Sequence, residues 1–357
     1  MAGALPASTR RCLAGLVQMC SVNDVHANFS TCARLVKEAK ERGAKIVFLP
    51  ECFSFIGARP GEAQAVAEPL SGPIMRRYRD LACEHDVWLS LGGFQEKSDD
   101  PGEGRIYNTH VVVDDCGMVS AAYRKIHLFD VPMTGLVESR QALAGEELVS
   151  CASPCGKLGV TICYDMRFPE LYQKLTFLHG AQVLLMPSAF AMKTGEAHWE
   201  TLLRARAIET QCYVVAAAQA GLHNTDGNQR RSWGHAVAFD PWGDAVARFG
   251  AEESGVQVFE IDLDLVGRTR DNMPMRAHRR YDIYGGAPHA ATPDGTEAGA
   301  TSDADDEKHK GLFFSGGWQG GPRRAAKASS LALVAGAAVA AVPALLGVAR
   351  RLRGSAA

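Results

Sequence analysis

Short apolar runs alternate along this chain with longer stretches that have a helical repeat. Residues 13–18 and 44–49 are too short for helices and contain several branched side chains, so they predict buried strands. Residues 28–42, between them, repeat apolar positions at helical spacing and are followed by Gly43, which favours an amphipathic helix that ends at a glycine.

The same alternation continues almost to residue 284. Further strands are predicted at 88–93, 110–113, 118–123, 158–162, 183–186, 213–217 and 256–261, and further helices at 74–86, 169–180 and 197–210. Residues 114–117 and 240–243 have the composition of hairpin turns. Strands that alternate with helices in this way predict a layered α/β fold.

The composition changes after Tyr284. We predict a domain at 11–285, a flexible linker at 286–326 and a hydrophobic tail at 327–353. Residues 331–349 carry no charge and a basic end follows them, and about 20 apolar residues span a bilayer. We therefore expect a tail anchor that holds the protein on an organelle membrane, facing the cytosol. The alternatives are a hydrophobic helix packed on the protein or a partner, and a soluble cytoplasmic or mitochondrial location.

Charge and cysteine content narrow the function further. The chain has 38 Lys and Arg against 40 Asp and Glu, so no basic surplus indicates nucleic acid. No glycine-rich phosphate loop is present, and no cofactor is expected. The ten cysteines are scattered without a CxxC pair, so we expect reduced thiols and no metal site. The first eleven residues lack the apolar core of a secretory signal.

The candidate chemistry centres on Cys163, which follows a predicted buried strand and precedes the helix that begins near Pro169. A thiol at such a turn lies beside the positive end of a helix, which favours the thiolate and exposes backbone N–H groups to an oxyanion. A buried core cysteine is the plainer interpretation. However, Glu51 and Lys125 also lie at the ends of predicted strands, where α/β layers gather catalytic side chains. Together the three residues favour a nucleophilic site.

On these residues the chain resembles the nitrilase (carbon–nitrogen hydrolase) superfamily, from about Arg11 to about Gly285. The segments around Glu51, Lys125 and Cys163 match the motifs of its Glu–Lys–Cys triad. Three further runs, at 187–190, 194–200 and 203–217, resemble its Nit branch and, within that branch, the deaminated glutathione amidases. The resemblance implies a four-layer αββα sandwich that assembles into a homodimer or a higher homo-oligomer.

The resemblance also implies amide hydrolysis through a thioester. Cys163 would be the nucleophile and Glu51 would carry its proton. Lys125 would stabilise the oxyanion together with a backbone N–H near Tyr164. The superfamily's second glutamate corresponds to Glu138, which would orient the lysine or the substrate.

Substrates of this branch carry an α-keto acid. Arg167 is the natural guanidinium for that carboxylate, although an ion pair with Glu170 explains it equally well. By resemblance, Tyr164, Phe190 and Thr194 would line the same pocket. Residues 130–135 form a shorter loop than in the family, which is expected to alter one wall of the pocket.

The leading expectation is hydrolysis of deaminated glutathione to 2-oxoglutarate and cysteinylglycine. An ω-amidase acting on α-ketoglutaramate is the second. A catalytically silent, membrane-tethered interaction protein is an alternative from another class.

Overall fold

The described part of the chain alternates between strands and helices, as the hydrophobic pattern predicts. The computed structural model describes residues 10–132 and 136–284. The strands are β1 Arg11–Met19, β2 Ile46–Leu49, β3 Trp88–Lys97, β4 Ile106–Val113, β5 Val119–Arg124, β6 Asp130–Val131, β7 Leu136–Val137, β8 Ala142–Leu143, β9 Val149–Ser153, β10 Gly156–Val160, β11 Val183–Leu185, β12 Tyr213–Ala216, β13 Ala218–Leu222, β14 Arg231–Trp233, β15 Val237–Phe239, β16 Ala245–Arg248 and β17 Gly255–Asp262. The helices are α1 Val25–Glu41, α2 Glu62–Val66, α3 Pro73–Glu84, α4 Pro169–Phe177, α5 Met192–Thr210, α6 Leu263–Asn272 and α7 Tyr281–Tyr284, with short 3-10 turns at Glu138–Arg140 and Cys163–Arg167.

Most of these strands belong to two sheets. One sheet has the order β14-β13-β1-β2-β3-β4-β5, with β17 paired to β1 and β8 paired to β4. The other has the order β16-β15-β12-β11-β10-β9. The central strands of each sheet are parallel, β1 to β3 in one and β10 to β12 in the other. Their carboxyl ends therefore collect at one edge of each sheet, where α/β proteins place their sites.

The main core lies between the two sheets. Leu16, Phe48 and Tyr123 from one sheet belong to the same buried cluster as Leu158 and Val214 from the other. Helices α1 and α3 pack on the remaining face of the first sheet, and α4 and α5 pack on the second. The resulting helix–sheet–sheet–helix order confirms the predicted αββα sandwich.

Helix α1 begins earlier than the hydrophobic pattern predicts. The side chain of Asp24 accepts hydrogen bonds from the backbone N–H groups of His26 and Ala27, at 2.8 and 3.1 Å. An aspartate in this position satisfies N–H groups that have no partner inside the helix, so it fixes the first turn. The far end is as predicted, because Gly43 adopts a left-handed backbone with φ 90°.

A buried histidine joins the two sheets close to the predicted nucleophile. His110 on β4 lies with its Nδ1 2.9 Å from the Thr161 carbonyl, just after β10, and with its Nε2 2.7 Å from the Ser90 hydroxyl on β3. Desolvation lowers the pKa of His110 to about 4, although the bond to Thr161 opposes this. The neutral ring therefore donates to Thr161 and accepts from Ser90, which satisfies both nitrogens.

The expectation that all cysteines are reduced is wrong for one pair. Cys12 on β1 and Cys155 in the β9–β10 turn form a disulfide with a Cα–Cα distance of 5.1 Å. The two residues are 143 positions apart in sequence, and only the packing of the sheets brings them together. Spacing along the chain could not reveal this pairing. The other cysteines are free thiols.

Several predicted segments fall outside the described residues, among them 133–135 of the shortened loop. No helix within 10–132 and 136–284 is long and apolar enough to cross a membrane. The predicted linker at 286–326, the predicted tail at 327–353 and the short N-terminal segment at 1–9 lie outside the described residues.

Replacing His110 with Asn should destabilise the protein in a pH-dependent way. At pH 7 the free energy of unfolding should fall by about 1–3 kcal/mol, because the shorter side chain leaves a buried partner unsatisfied. The difference between wild type and variant should shrink as the pH falls from 6.5 to about 4. In that window the unfolded imidazole binds a proton and the folded one does not, so only the wild type loses stability through this group.

Urea denaturation at a series of pH values measures this difference. The matched change His278→Asn, at an exposed histidine, should leave the free energy of unfolding unaltered. A destabilisation by His110→Asn that is the same at pH 7 and pH 4.5 would contradict the assignment of a neutral imidazole.

Candidate active site

Cys163 is the first residue of the 3-10 turn that follows β10. Its backbone is left-handed, with φ 47°, which is rare for a residue with a side chain. Two hydrogen bonds hold it there: the Cys163 N–H donates to the Pro187 carbonyl at 3.0 Å, and the Ile162 N–H donates to the Asp165 carboxylate at 2.9 Å. Cys163 is 9% exposed, so its thiol reaches a cavity from an otherwise buried position.

Buried polar contacts make this turn rigid. Asp165 is fully buried and accepts hydrogen bonds from the Tyr123 hydroxyl at 2.7 Å and from His127 Nδ1 at 2.8 Å. Arg206 on α5 donates from Nε to the Met166 carbonyl at 3.0 Å. The first sheet and α5 thus fix the turn from two sides. Arg206 also pairs with Glu209 at 2.9 Å, so its contacts in this structure are structural.

Glu51 lies two residues after the end of β2 and is 5% exposed. Its Oε2 accepts from the Ala189 N–H at 2.8 Å, and its Oε1 accepts from Asn108 Nδ2 at 2.9 Å. The carboxylate also interacts electrostatically with the Cys163 thiol. The bonds from Ala189 and Asn108 orient both oxygens of the carboxylate.

Lys125 lies directly after β5 and is 2% exposed. Its Nζ donates to both oxygens of Glu138, at 2.8 and 3.1 Å, and lies 3.4 Å from Glu51 Oε1. Glu138 is itself held by the Phe129 N–H, which donates to Oε2 at 2.7 Å. The structure therefore brings together all four residues that the sequence indicated as catalytic.

The charges of this cluster depend on one another. Burial would raise the pKa of Glu51, but the positive charges of Lys125 and Arg230 outweigh burial and lower it. Burial would lower the pKa of Lys125, but Glu138 and Glu51 raise it well above its usual value. Burial raises the pKa of the Cys163 thiol well above its usual value and the Glu51 charge adds to this, although Lys125 opposes it. At neutral pH the site holds a carboxylate, an ammonium and a neutral thiol.

The expectation that the turn favours a thiolate is therefore wrong for the resting site. A thiolate at Cys163 would be a second negative charge beside Glu51 in a buried position, and both effects disfavour it. A nucleophilic attack by this sulfur would require its proton to leave, and the Glu51 carboxylate is the neighbouring base.

Sequence reasoning missed two polar residues of the cluster. Asn108 on β4 donates from Nδ2 to Glu51 and also reaches Glu138 Oε1 at 3.4 Å. Arg230, next to β14, donates from Nη2 to the Ala189 carbonyl at 3.0 Å. The only sequence feature that could have indicated Asn108 as a site residue is its polar amide near the start of a mostly apolar strand, and this indication is weak. Arg230 lies in a polar loop, where no sequence feature distinguishes it from its neighbours.

A cavity of about 400 Å³ opens above the cluster. It is lined by Glu51, Cys52, Asn108, Lys125, Phe129, Val137, Glu138, Arg140, Gln141, Cys163, Tyr164, Ala189, Phe190, Ala191, Thr194, Arg230 and Arg231. Tyr164, Phe190 and Thr194, which were expected to line the pocket, are among these residues. Arg167 is not among them, and its guanidinium lies 5.7 Å from the Tyr164 ring centre and 5.5 Å from that of Phe190.

One group of side chains in the described ranges could in principle approach a metal ion. Ligand atoms of Asp114, Asp115 and Cys116 lie within 4.8 Å of one another in the β4–β5 turn. Asp114 Oδ1 already accepts from the N–H groups of Cys116 and Met118, at 3.0 and 2.8 Å. These bonds explain the aspartate as a turn residue, and none of the three residues lines the cavity above Cys163.

The fold and the site define an enzyme that hydrolyses carbon–nitrogen bonds. Residues 13–271 match the sequence profile of the family described as Carbon-nitrogen hydrolase, and the chain belongs to this family. This confirms the resemblance found in the sequence. The chain is therefore a carbon–nitrogen hydrolase acting on amides.

This chain is similar in sequence to individual relatives over most of their length. The chain is 48% identical over 282 residues to a deaminated glutathione amidase of Bos taurus, covering 78% of this chain and 84% of the relative. It is 47% identical over 294 residues to a deaminated glutathione amidase of Homo sapiens, covering 80% and 88%. Among solved structures, the C. elegans NitFhit protein is 45% identical with a TM-score of 0.71, covering 77% of this chain and 66% of that one.

Close approach of β3 to the site requires glycine at position 93. Gly93 has a left-handed backbone with φ 109°, and a Cβ there would lie 2.8 Å from Asn108 Oδ1 and 3.0 Å from Glu51 Cγ. A side chain would therefore be strained and would push against both residues that shape the carboxylate site.

Gly93→Ala should accordingly lower amide-hydrolysing activity by at least tenfold and the free energy of unfolding by about 1–3 kcal/mol. The matched control is Gly104→Ala, since a Cβ at Gly104 would meet no atom within 4 Å. Steady-state kinetics and urea denaturation of both variants provide the comparison. Full activity in Gly93→Ala would show that the close approach of β3 does not shape the site.

Proposed function

We propose that this protein hydrolyses the amide bond of deaminated glutathione to 2-oxoglutarate and cysteinylglycine, through a thioester at Cys163. The observation that carries the proposal is that the Cys163 thiol, the Glu51 carboxylate and the Lys125 ammonium line the wall of one cavity, with Lys125 Nζ 3.4 Å from Glu51 Oε1. The identity of 47–48% to proteins named deaminated glutathione amidase supports the substrate.

The first half of the reaction forms the thioester. As Cys163 Sγ bonds to the amide carbon, its proton moves to Glu51, and the carbonyl π electrons move to the oxygen. The oxyanion is stabilised by the Lys125 ammonium and by the N–H of Tyr164, which lies in the first turn of a short helix where such groups lack a helical partner. The intermediate then collapses, the carbon–nitrogen bond breaks, and Glu51 gives its proton to the departing amine.

The second half releases the acid. Glu51, again ionised, takes a proton from a water molecule as that water attacks the thioester carbon. The second oxyanion uses the same donors, and its collapse breaks the carbon–sulfur bond. The proton returns from Glu51 to the sulfur, which restores the neutral thiol of the resting site.

Glu138 and Asn108 act by positioning in this scheme. Glu138 holds the ammonium of Lys125 at 2.8 Å, and Asn108 bridges the two carboxylates. Tyr164, Phe190 and Thr194 would contact the substrate from the cavity wall. A complete nucleophile–base–ammonium set disfavours a catalytically silent interaction protein, because such a protein has no use for it.

Assembly and attachment are further proposals. Ile208 on α5 and the nearby Trp242 are exposed by 45% and 58%, which supports association of two copies through this helical face. The uncharged run at 331–349 supports attachment to a membrane.

Side-by-side kinetics on deaminated glutathione and α-ketoglutaramate test the proposal, because hydrolysis of either amide releases 2-oxoglutarate. We expect the higher kcat/KM for deaminated glutathione. Cys163→Ala should abolish turnover, since no thioester can form. Glu51→Gln should lower kcat by about 10²–10⁴, since the amide cannot accept the thiol proton.

The control variant is Cys83→Ala, at an exposed thiol remote from the cavity, and it should keep wild-type kinetics. A higher kcat/KM for α-ketoglutaramate would make the protein an ω-amidase instead. Hydrolysis of neither amide by the wild type would remove the substrate assignment.

A further inference from the structure

Arg230 is a cation in the cavity that forms no direct ion pair with a carboxylate of the described residues, although its charge acts on the nearby Glu51. Two other cations that line the cavity are neutralised: Lys125 by Glu138 at 2.8 Å, and Arg231 by Glu252 at 2.8 Å. No ion pair within 10–132 and 136–284 involves Arg230. A cation left unpaired in a cavity is prepared for an anionic ligand.

The backbone around Arg230 is well fixed. The β13–β14 hairpin pairs Leu222 with Arg231, and just outside this pair the His223 N–H donates to the Arg230 carbonyl at 3.0 Å. On the next residues of β14, the Trp233 N–H donates to the Phe190 carbonyl at 2.9 Å. Arg230 is therefore anchored beside the segment that forms one wall of the cavity.

The side chain of Arg230 is oriented but not saturated. Its Nη2 donates to the Ala189 carbonyl at 3.0 Å. The N–H of Ala189 in turn donates to Glu51 at 2.8 Å. Guanidinium groups have five N–H donors in a planar fork that fits a carboxylate with two parallel bonds. One bond to a carbonyl fixes the plane of the fork and leaves other donors for a ligand.

Arg167, for which the sequence left carboxylate binding and an ion pair equally open, is placed differently. Its Nη1 lies 3.3 Å from His198 Nδ1, and its guanidinium lies 5.7 Å and 5.5 Å from the ring centres of Tyr164 and Phe190. Arg167 thus packs on the two rings and is not among the residues that line the cavity. Arg140 lines the cavity but is exposed.

We infer that Arg230 is the residue that binds a carboxylate of the substrate. The inference rests on the proposed function, because deaminated glutathione has one carboxylate on the acyl side, in its α-keto acid, and one on the leaving side, in its glycine. α-Ketoglutaramate has the acyl-side carboxylate only. The two substrates therefore reveal which carboxylate Arg230 binds.

The test compares Arg230→Gln with Arg231→Gln, a neighbour whose charge is already paired, and with Arg167→Gln. The amides are deaminated glutathione, α-ketoglutaramate and the methyl ester of α-ketoglutaramate, which keeps the amide and removes the carboxylate charge. Arg230→Gln should lower kcat/KM for the carboxylate substrates by about 10- to 100-fold, mainly through KM, since a hydrogen bond to a charged group is lost. Its kcat/KM for the ester should stay close to that of Arg231→Gln, and Arg230→Lys should recover part of the loss.

Each outcome decides a question. A loss on both carboxylate substrates assigns Arg230 to the α-keto acid, and a loss on deaminated glutathione alone assigns it to the glycine carboxylate. An equal loss on all three amides would make Arg230 merely structural and overturn the inference. An unchanged kcat/KM in Arg230→Gln would also overturn it. The same holds for a carboxylate-specific loss that appears in Arg167→Gln instead.

A binding measurement separates this inference from the proposed function. Calorimetric titration of 2-oxoglutarate into Cys163→Ala and into Cys163→Ala with Arg230→Gln requires no turnover. Binding at least tenfold weaker in the double variant would support Arg230 at a carboxylate site even if the wild type cleaved none of the amides. The inference would be overturned if 2-oxoglutarate bound both variants equally or bound neither, and if Arg230→Gln also left the kinetic selectivity among the three amides unchanged.

Discussion

A buried ammonium determines how this site is arranged. Lys125 is 2% exposed, and an isolated charge in such a position would cost several kcal/mol. Glu138 at 2.8 Å and Glu51 at 3.4 Å compensate it. In return the ammonium keeps Glu51 ionised despite its burial, and burial together with the charge of Glu51 keeps the Cys163 thiol neutral. Because each charge depends on the others, the effects of removing two members should not add.

The sandwich is what brings these groups together. Glu51 and Lys125 follow strands of one sheet, whereas Cys163 follows β10 of the other, so the site exists only when the sheets are packed in register. Contacts between the sheets hold that register close to the nucleophile. His110 spans from β4 to the carbonyl of Thr161, and the Tyr123 hydroxyl of β5 donates to Asp165. A strained backbone at Cys163 is tolerated because these bonds surround it.

Much of the architecture could be predicted from local patterns, because strand and helix periodicity and the cap at Gly43 are local properties. Cys163, Glu51 and Lys125 could be found because each follows an apolar strand and lies in a family motif. Asn108 and Arg230 could not, since their roles depend on contacts with residues distant in sequence. The disulfide was hidden for the same reason. The thiolate expectation failed because the helix end was visible in the sequence, whereas the burial of Cys163 against Glu51 was not.

The most direct measurement is the protonation state of Cys163 in the resting enzyme. The difference in ultraviolet absorbance near 240 nm between wild type and Cys163→Ala, followed from pH 6 to pH 10, isolates the thiolate of this residue. Burial and the neighbouring Glu51 raise its pKa well above 9.0, so we predict no thiolate signal at or below pH 9. A thiolate step near or below pH 7 would contradict the account, because the resting site would then hold a preformed thiolate rather than a thiol activated by Glu51.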